Sequence, residues 1–306
     1  MNRRDFMALS SATIAATAFS GTPALGQDAS FTKRFASTDQ LAAYTRLSAL
    51  LEHPAIMAHR AGYYPWGGIP ECSIFGAEQV IKRGPAFIEI DVRTSADGVP
   101  VCVHDETLDR GTTGTGRVDE VSADYIAGLT LRDNLGQATG YSIPTFEDFL
   151  DWGENGAMLW LDTKDIDPAL LVEMVRARGA ESRVIVSAYG REILEHYQEL
   201  APDLVYFVPF IEGLGLPDVQ SILDTGLNPG HLIGMAGFDL PNMKGTLALA
   251  EIDAPALLDV QNIDRRYEPG NVNPNLYTRA VEEGLPFICT DQYSAALDAL
   301  GITDWA

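Results

Sequence analysis

The stretch Ala86-Phe87-Ile88-Glu89-Ile90-Asp91-Val92-Arg93-Thr94-Ser95-Ala96-Asp97-Gly98-Val99-Pro100-Val101-Cys102-Val103-His104-Asp105 decides the fold. Its opening run, 86–92, is apolar except at Glu89 and Asp91. A run apolar along its length reads as a strand covered on both faces, as in a parallel sheet. Residues i and i+2 point to one side of a strand, so the two carboxylates share a side, and their apolar flanks place it inward. Asp97-Gly98 is a two-residue hairpin signal that leaves no room for a helix. Residues 99–105 therefore return antiparallel, and pairing Ala96 with Val99 sets Asp91 opposite His104.

Seven further apolar runs lie outward of this one, at 55–60, 157–162, 183–188, 204–210, 231–236, 256–260 and 286–290. Amphipathic stretches at 73–83, 168–178, 191–200 and 275–283 separate several of them and predict helices. Eight runs alternating with helices favour a closed (βα)8 TIM barrel over an open sheet, as a single domain over 27–306. Residues 106–156 break the alternation. They begin rich in Gly and Thr, and 144–152 reads as a capped helix, so a small insertion follows the hairpin that extends strand two and forms a lid over one end.

The N-terminus has the three parts of an export signal. Arg3-Arg4 precede Phe6, an uncharged run follows from Ala8 to about Gly21, and Ala24-Leu25-Gly26 offers small residues for cleavage. Residues 1–26 read as a Tat-type signal peptide, which implies a periplasmic or secreted protein. The apolar run is too short for stable membrane insertion. Cys72, Cys102 and Cys289 are expected as buried free thiols, with no Cys/His spacing for zinc. The chain carries 43 acidic against 21 basic residues, a formal charge of −22, which argues against nucleic acid and anionic membrane as partners. That charge also repels phosphate-bearing molecules at long range.

Polar residues nevertheless collect at the C-terminal ends of the apolar runs, where barrels keep their active sites. His59-Arg60 ends the first run, Glu89 and Asp91 lie on the second, the hairpin brings His104, and Asp162 and Lys164 end the third. Clustered inward carboxylates are costly to bury unpaired, and a divalent cation removes the conflict. Oxygen-only ligation by Glu89, Asp91 and Asp162 suits Ca²⁺ or Mg²⁺. Neutralisation by Arg60, Arg93 and Lys164 without metal ranks second. His59 and His104 read as an acid–base pair, and Arg60 and Lys164 as phosphate holders; together they suggest cleavage of a small-molecule phosphodiester.

Taken together, His59-Arg60, Pro70-Glu71-Cys72-Ser73, Glu89-Ile90-Asp91-Val92, Thr94, Asp97-Gly98, Val103-His104-Asp105, the run Leu108-Asp109-Arg110-Gly111-Thr112-Thr113-Gly114-Thr115-Gly116, Asp162-Thr163-Lys164, Ser187 and Thr290-Asp291 resemble the glycerophosphodiester phosphodiesterase family. The resemblance is dense from His59 to Gly116 and thin beyond Asp165. It implies a (βα)8 barrel that uses one divalent cation to hydrolyse glycerophosphodiesters to sn-glycerol 3-phosphate and an alcohol. It also implies that His59 and His104 are the acid–base pair, that Glu89, Asp91 and Asp162 are metal ligands, and that Arg60 and Lys164 contact the phosphate. In the implied mechanism one histidine deprotonates the glycerol 2-hydroxyl, that oxygen attacks phosphorus, the other histidine protonates the leaving alcohol, and water opens the cyclic phosphate.

Four positions depart from the family pattern. Asp162 stands where Glu is usual, Cys72 replaces Asn after Pro-Glu, Ala61 precedes Gly62 after His59-Arg60, and Leu258-Asp259-Val260-Gln261 replaces Trp-Thr-Val-Asn. Two other readings differ in what they need. An enzyme acting on intact phospholipid, phospholipase D-like or a lyase, needs an apolar rim at the barrel mouth; a non-catalytic periplasmic phosphodiester-binding protein has no use for two histidines and three carboxylates. Arg110 is placed near substrate, Tyr63, Tyr64, Pro65 and Trp66 at the pocket wall or in loop packing, and His53, His196 and His231 outside the site.

Overall fold

The computed structural model describes residues 33–47, 53–63, 67–211, 214–268 and 271–303. Residues 1–26, expected to be a signal peptide, and Tyr64, Pro65 and Trp66 lie outside the described residues. In chain order the strands are β1 (Ala55–Ala58), β2 (Phe87–Thr94), β3 (Pro100–Cys102), β4 (Thr130–Arg132), β5 (Ala138–Ser142), β6 (Met158–Thr163), β7 (Val184–Ser187), β8 (Val205–Val208), β9 (Phe210–Ile211), β10 (Leu214–Gly215), β11 (Leu232–Phe238), β12 (Ala256–Asp259) and β13 (Phe287–Thr290). β1, β2, β6, β7, β8, β11, β12 and β13 pair in parallel in that order, and β13 closes onto β1. Each apolar run of the sequence supplies one of these eight strands, and the result is a (βα)8 barrel. The four amphipathic stretches form helices Ile74–Arg83, Pro168–Ala177, Arg191–Leu200 and Asn275–Glu282.

Strand alternation divides the core into two layers. On β2, Ile88, Ile90 and Val92 face the outer helices, whereas Phe87 turns into the barrel beside Met57, Trp160, Phe207 and Phe287. The inner aromatics meet edge to face, with Phe87 and Trp160 centroids 6.1 Å apart at 87° and Phe87 and Phe287 5.6 Å apart at 62°. Phe87→Ala would leave a void at the centre of this stack. It should cost about 3–5 kcal/mol in urea denaturation, and a loss below about 1 kcal/mol would contradict the packing described.

Helix Thr38–Leu47, which the sequence reading does not anticipate, drives Leu41 and Ala42 into the inner cluster and packs Tyr44 against it. It plugs the N-terminal end of the barrel, so the polar residues occupy the opposite end.

The hairpin register differs from expectation by one residue. Val92 pairs with Cys102, Arg93 with Val101 and Thr94 with Pro100, and the Val103 amide donates to the Asp91 carbonyl. Asp91 thus faces Val103, not His104. The turn has three residues instead of two. The Ser95 amide donates to the Val99 carbonyl across Ala96, Asp97 and Gly98, and Gly98 takes the left-handed conformation at φ 84°. Asp97 Oδ1 accepts from Ser95 Oγ and from the Ala123 amide, which fixes this longer turn.

Within 106–156, β4 and β5 pair antiparallel, and Leu108, Val118, Ile126, Leu131 and Ile143 join Val101 and Val103 in a small separate core. Helix Phe146–Trp152 is capped by Thr145 and Asp148 reciprocally and buries Phe146, Phe149 and Leu150 in the barrel's outer layer. All three cysteines are free and buried. Among the described residues, no helix is long and apolar enough to cross a membrane.

Candidate active site

A cavity of about 250 Å³ opens at the C-terminal ends of the barrel strands, and His59, Arg60, Glu89, His104, Asp162 and Lys164 line it. Trp160, Phe207, Met57 and Cys289 form apolar parts of its wall, linking it to the inner core. Asp91, the seventh residue singled out from sequence, joins the others through Lys164 and the carboxylate cluster.

The turn after β1 is strained. Arg60 and Ala61 are left-handed at φ 51° and 56°, a conformation that costs non-glycine residues of order 1 kcal/mol or more each. The strain aims the Arg60 amide at Glu89 Oε2, 2.5 Å away, while the Arg60 carbonyl accepts from the Cys72 amide at 2.8 Å. Gly62 continues the turn at φ 86°, where a Cβ would lie 2.6 Å from Val80 Cγ2.

The three carboxylates converge because β2 and β6 pair with Asp91 beside Asp162 and Glu89 beside Trp160. One oxygen from each of Glu89, Asp91 and Asp162 lies within 4.8 Å of the other two. Glu89 Oε1 and Asp162 Oδ1 are buried without a hydrogen-bond partner. Asp91 Oδ1 accepts no hydrogen bond either, although Lys164 Nζ is an ion-pair partner at 3.0 Å; the same ammonium reaches Asp162 Oδ2 at 2.6 Å. Burial and the neighbouring Asp91 charge push the Glu89 carboxyl well up, whereas Lys164, His104 and Arg60 overcome burial to hold Asp91 down. The Lys164 ammonium bridges only Asp91 and Asp162, and the Arg60 guanidinium, though near Asp91, spends its hydrogen bonds on Glu71 and His104. Arg93 does not help, because it turns away to the His104 carbonyl and Asp165. Converging, orphaned carboxylate oxygens are the donor set of a hard divalent cation, so these residues fit Ca²⁺ or Mg²⁺.

The two histidines are held differently. His59 Nδ1 is 2.6 Å from Asp291 Oδ1. Burial opposes its charge, but Asp291 and Glu89 outweigh burial and lift its pKa to about 9. His104 Nδ1 is 2.7 Å from Asp105 Oδ1, and Arg60 Nη2 is 2.7 Å from its Nε2. Burial and the nearby guanidinium of Arg60 and ammonium of Lys164 lower its pKa despite Asp91 and Asp105. Although the register is one residue off, His104 still reaches the cavity.

Asp291 and Glu71, to which sequence assigned no role, complete the site, whereas Arg110 and Tyr63, expected beside substrate or at the pocket wall, are not among the residues that line the cavity. Asp291, directly after β13, holds His59; its Oδ2 lies 2.8 Å from Arg265 Nε, and its amide donates to buried Asp264. Its place at a strand's C-terminal end was the available signal. Glu71 is buried and accepts from Arg60 Nη1 at 3.0 Å and Arg110 Nη2 at 2.5 Å. Cys72 Sγ donates to Asp91 Oδ2 at 3.1 Å, in the position where the family pattern has an amide. Arg110 binds Asp105 and Glu71 and does not line the cavity. Tyr63 sits between Arg60 and Arg265, each guanidinium 5.6 Å from its ring. His231 is buried with Nδ1 3.1 Å from the Leu204 carbonyl, and His196 is exposed, so neither belongs to the site.

The model of the glycerophosphoryl diester phosphodiesterase family matches residues 59–207. Over 157 residues the chain is 29% identical to a glycerophosphodiester phosphodiesterase of Caldanaerobacter subterraneus subsp. tengcongensis, covering 49% of this chain and 63% of that relative. The chain therefore spans under two thirds of that relative's length. A glycerophosphoryl diester phosphodiesterase of Parabacteroides distasonis has a similar crystal structure, with TM-score 0.78 and 25% identity over 88% of this chain and 93% of that one. A phosphodiesterase of Oleispira antarctica, solved in complex with the product sn-glycerol-3-phosphate, shares the fold at TM-score 0.60 and 17% identity, covering 83% of this chain and 99% of that one. The chain belongs to the glycerophosphoryl diester phosphodiesterase family.

Proposed function

We propose that this protein hydrolyses glycerophosphodiesters to sn-glycerol 3-phosphate and an alcohol, with one divalent cation, Ca²⁺ or Mg²⁺. The observation that carries the proposal is the cavity itself. Two histidines, each oriented by its own carboxylate, share it with Arg60, Lys164 and carboxylate oxygens that lack partners. Glu89, Asp91 and Asp162 would hold the cation, which when bound supplies positive charge against the transferring phosphoryl group. Arg60 and Lys164 bind the phosphate oxygens. One histidine takes the proton of the glycerol 2-hydroxyl as that oxygen attacks phosphorus, and the other gives a proton to the departing alcohol. Their roles then reverse as water opens the cyclic phosphate. Of the proteins with this fold, the Oleispira antarctica phosphodiesterase holds sn-glycerol-3-phosphate, the product this reading requires here.

The test is release of glycerol 3-phosphate from glycerophosphocholine by the purified mature protein, followed by a coupled dehydrogenase assay. Release above the uncatalysed background supports the proposal, and binding without release would make the protein a phosphodiester receptor. Because the net charge of −22 repels an anionic diester at long range, added salt should leave KM unchanged or lower it. A steep rise of KM with salt would contradict that.

One observation favours a second reading. Phe238, Leu240 and Met243 are 37%, 58% and 48% exposed where β11 ends, and Phe238 lines the cavity. An apolar rim of this kind suits an intact phospholipid, and cleavage of phosphatidylcholine vesicles in preference to glycerophosphocholine would establish it. We also propose that residues 1–26 direct export by the Tat route to the periplasm or medium. Replacing Arg3 and Arg4 with lysine should strand the protein inside the cell, and unchanged export would refute this.

A further inference from the structure

Five side chains from four separate segments form a closed ring. Arg60, in the turn after β1, donates from Nη1 to Glu71 Oε2 at 3.0 Å, and its Nη2 is 2.7 Å from His104 Nε2. His104 Nδ1 is 2.7 Å from Asp105 Oδ1. Arg110 closes the ring as a fork: Nε and Nη2 donate to Asp105 Oδ2 and Oδ1 at 2.5 and 3.0 Å. Its Nη2 and Nη1 also reach Glu71 Oε1 and Oε2 at 2.5 and 3.2 Å.

The chemistry of the ring fixes a proton. A guanidinium only donates, so the imidazole nitrogen facing Arg60 must be the bare acceptor in neutral His104. The ring proton is then on Nδ1, where Asp105 accepts it. Asp105 is the part of this arrangement that needs support. It belongs to the loop after β3, its side chain is 28% exposed, and water competes for both its oxygens. Arg110 occupies both oxygens at once and ties them to Glu71, which is 6% exposed and already anchored to Arg60.

We propose that Arg110 is a positioning residue for the reaction: by gripping Asp105 and Glu71 together, it keeps His104 in the Nδ1–H tautomer with Nε2 bare toward the cavity. The inference rests on the reading of His104 as one of the acid–base pair. Arg110 is 47% exposed, so its ion pairs add little to stability. Their effect is geometric, because a bidentate fork fixes orientation as well as charge. When a phosphodiester draws Arg60 Nη2 off His104, Arg110 and Asp105 still hold the ring proton on Nδ1, and Nε2 is free to take or return a proton.

Arg110→Gln and Arg110→Lys test this in the full mature protein. The readouts are steady-state turnover of glycerophosphocholine with saturating Ca²⁺ or Mg²⁺ and the imidazole nitrogen NMR shifts of His104 in ¹⁵N-histidine-labelled protein, assigned against His104→Ala. We expect R110Q to lower kcat roughly 10- to 100-fold, with KM changed less than about threefold. Its His104 signals should move from a pure Nδ1–H pattern toward a mixture of tautomers. R110K should recover part of both, since an ammonium can hold one carboxylate at a time; it also serves if R110Q does not fold. His104 remaining fully Nδ1–H in the variants, or kcat within twofold of wild type in R110Q, would overturn the proposal. A wild-type protein that cleaves no glycerophosphodiester would sink the proposed function instead, and the tautomer measurement would still decide whether Arg110 orients His104.

Discussion

His104→Ala should lower turnover by about 10²- to 10⁴-fold while leaving the fold intact. The side chain is 29% exposed and touches Asp105 and Arg60, both of which keep other partners when it is gone. Asp105 keeps Arg110, and Arg60 keeps Glu71 and its backbone bond to Glu89. No buried charge is stranded, so loss of activity would report the chemistry of the ring and not unfolding. His59→Ala should remove activity to a similar degree but is the less clean test. It takes a partner from Asp291, whose side chain is fully buried and would keep Arg265 as its ion-pair partner among the described residues. Turnover of glycerophosphocholine beside the thermal midpoint of each variant checks both statements. Activity near wild type in His104→Ala would remove it from the acid–base pair.

Glu89→Gln should separate stability from function. In the protein without cation, Glu89 is buried, its Oε1 lacks a partner, and its charge is opposed by burial and by Asp91. The amide keeps an oxygen for the Arg60 amide hydrogen and sheds the buried charge. The cation-free protein should therefore be unchanged or more stable, by up to about 1 kcal/mol. Affinity for Ca²⁺ or Mg²⁺ should fall by at least about tenfold, because one of three anionic ligands is lost. Calorimetric titration with each cation and thermal denaturation in EDTA read the two effects separately. Unchanged affinity would take Glu89 out of the ligand set. A large loss of stability in EDTA would mean the carboxylate serves structure and not the cation.

These expectations rest on features that differ in how visible they were in the sequence. The eight strands are legible because each is apolar along its length, and the inward pair Glu89 and Asp91 is legible because alternation is local. Asp162 was legible only as a polar residue ending the neighbouring run, and the β2–β6 register sets it beside Asp91. The hairpin register was not legible: Asp97-Gly98 suits a two-residue turn, and the strand pairing and the Ser95–Val99 backbone bond reveal a three-residue one. The supports of the two histidines divide in the same way. Asp105 adjoins His104, whereas Asp291 lies 232 positions from His59 and only barrel closure brings them together. The plug helix Thr38–Leu47 and the Arg110–Glu71 bridge depend on loop paths, for which a single sequence carries no periodic signal.

The strain at Arg60 and Ala61 and the orphaned carboxylate oxygens fall in one place, where local preferences are overridden to aim groups at a common point. The acidic surface belongs in the same picture. It discourages an anion at long range, so in the proposed reaction capture would rest on short-range groups: Arg60, Lys164 and the cation that the carboxylates would hold.

The measurement that tests this account most directly is a ³¹P NMR time course of the mature protein with glycerophosphocholine, run with Ca²⁺, with Mg²⁺ and with EDTA. The account predicts that the diester signal is replaced by that of glycerol 3-phosphate when a divalent cation is present, and persists in EDTA. A diester signal unchanged under every divalent cation, or its replacement by phosphocholine, would contradict it.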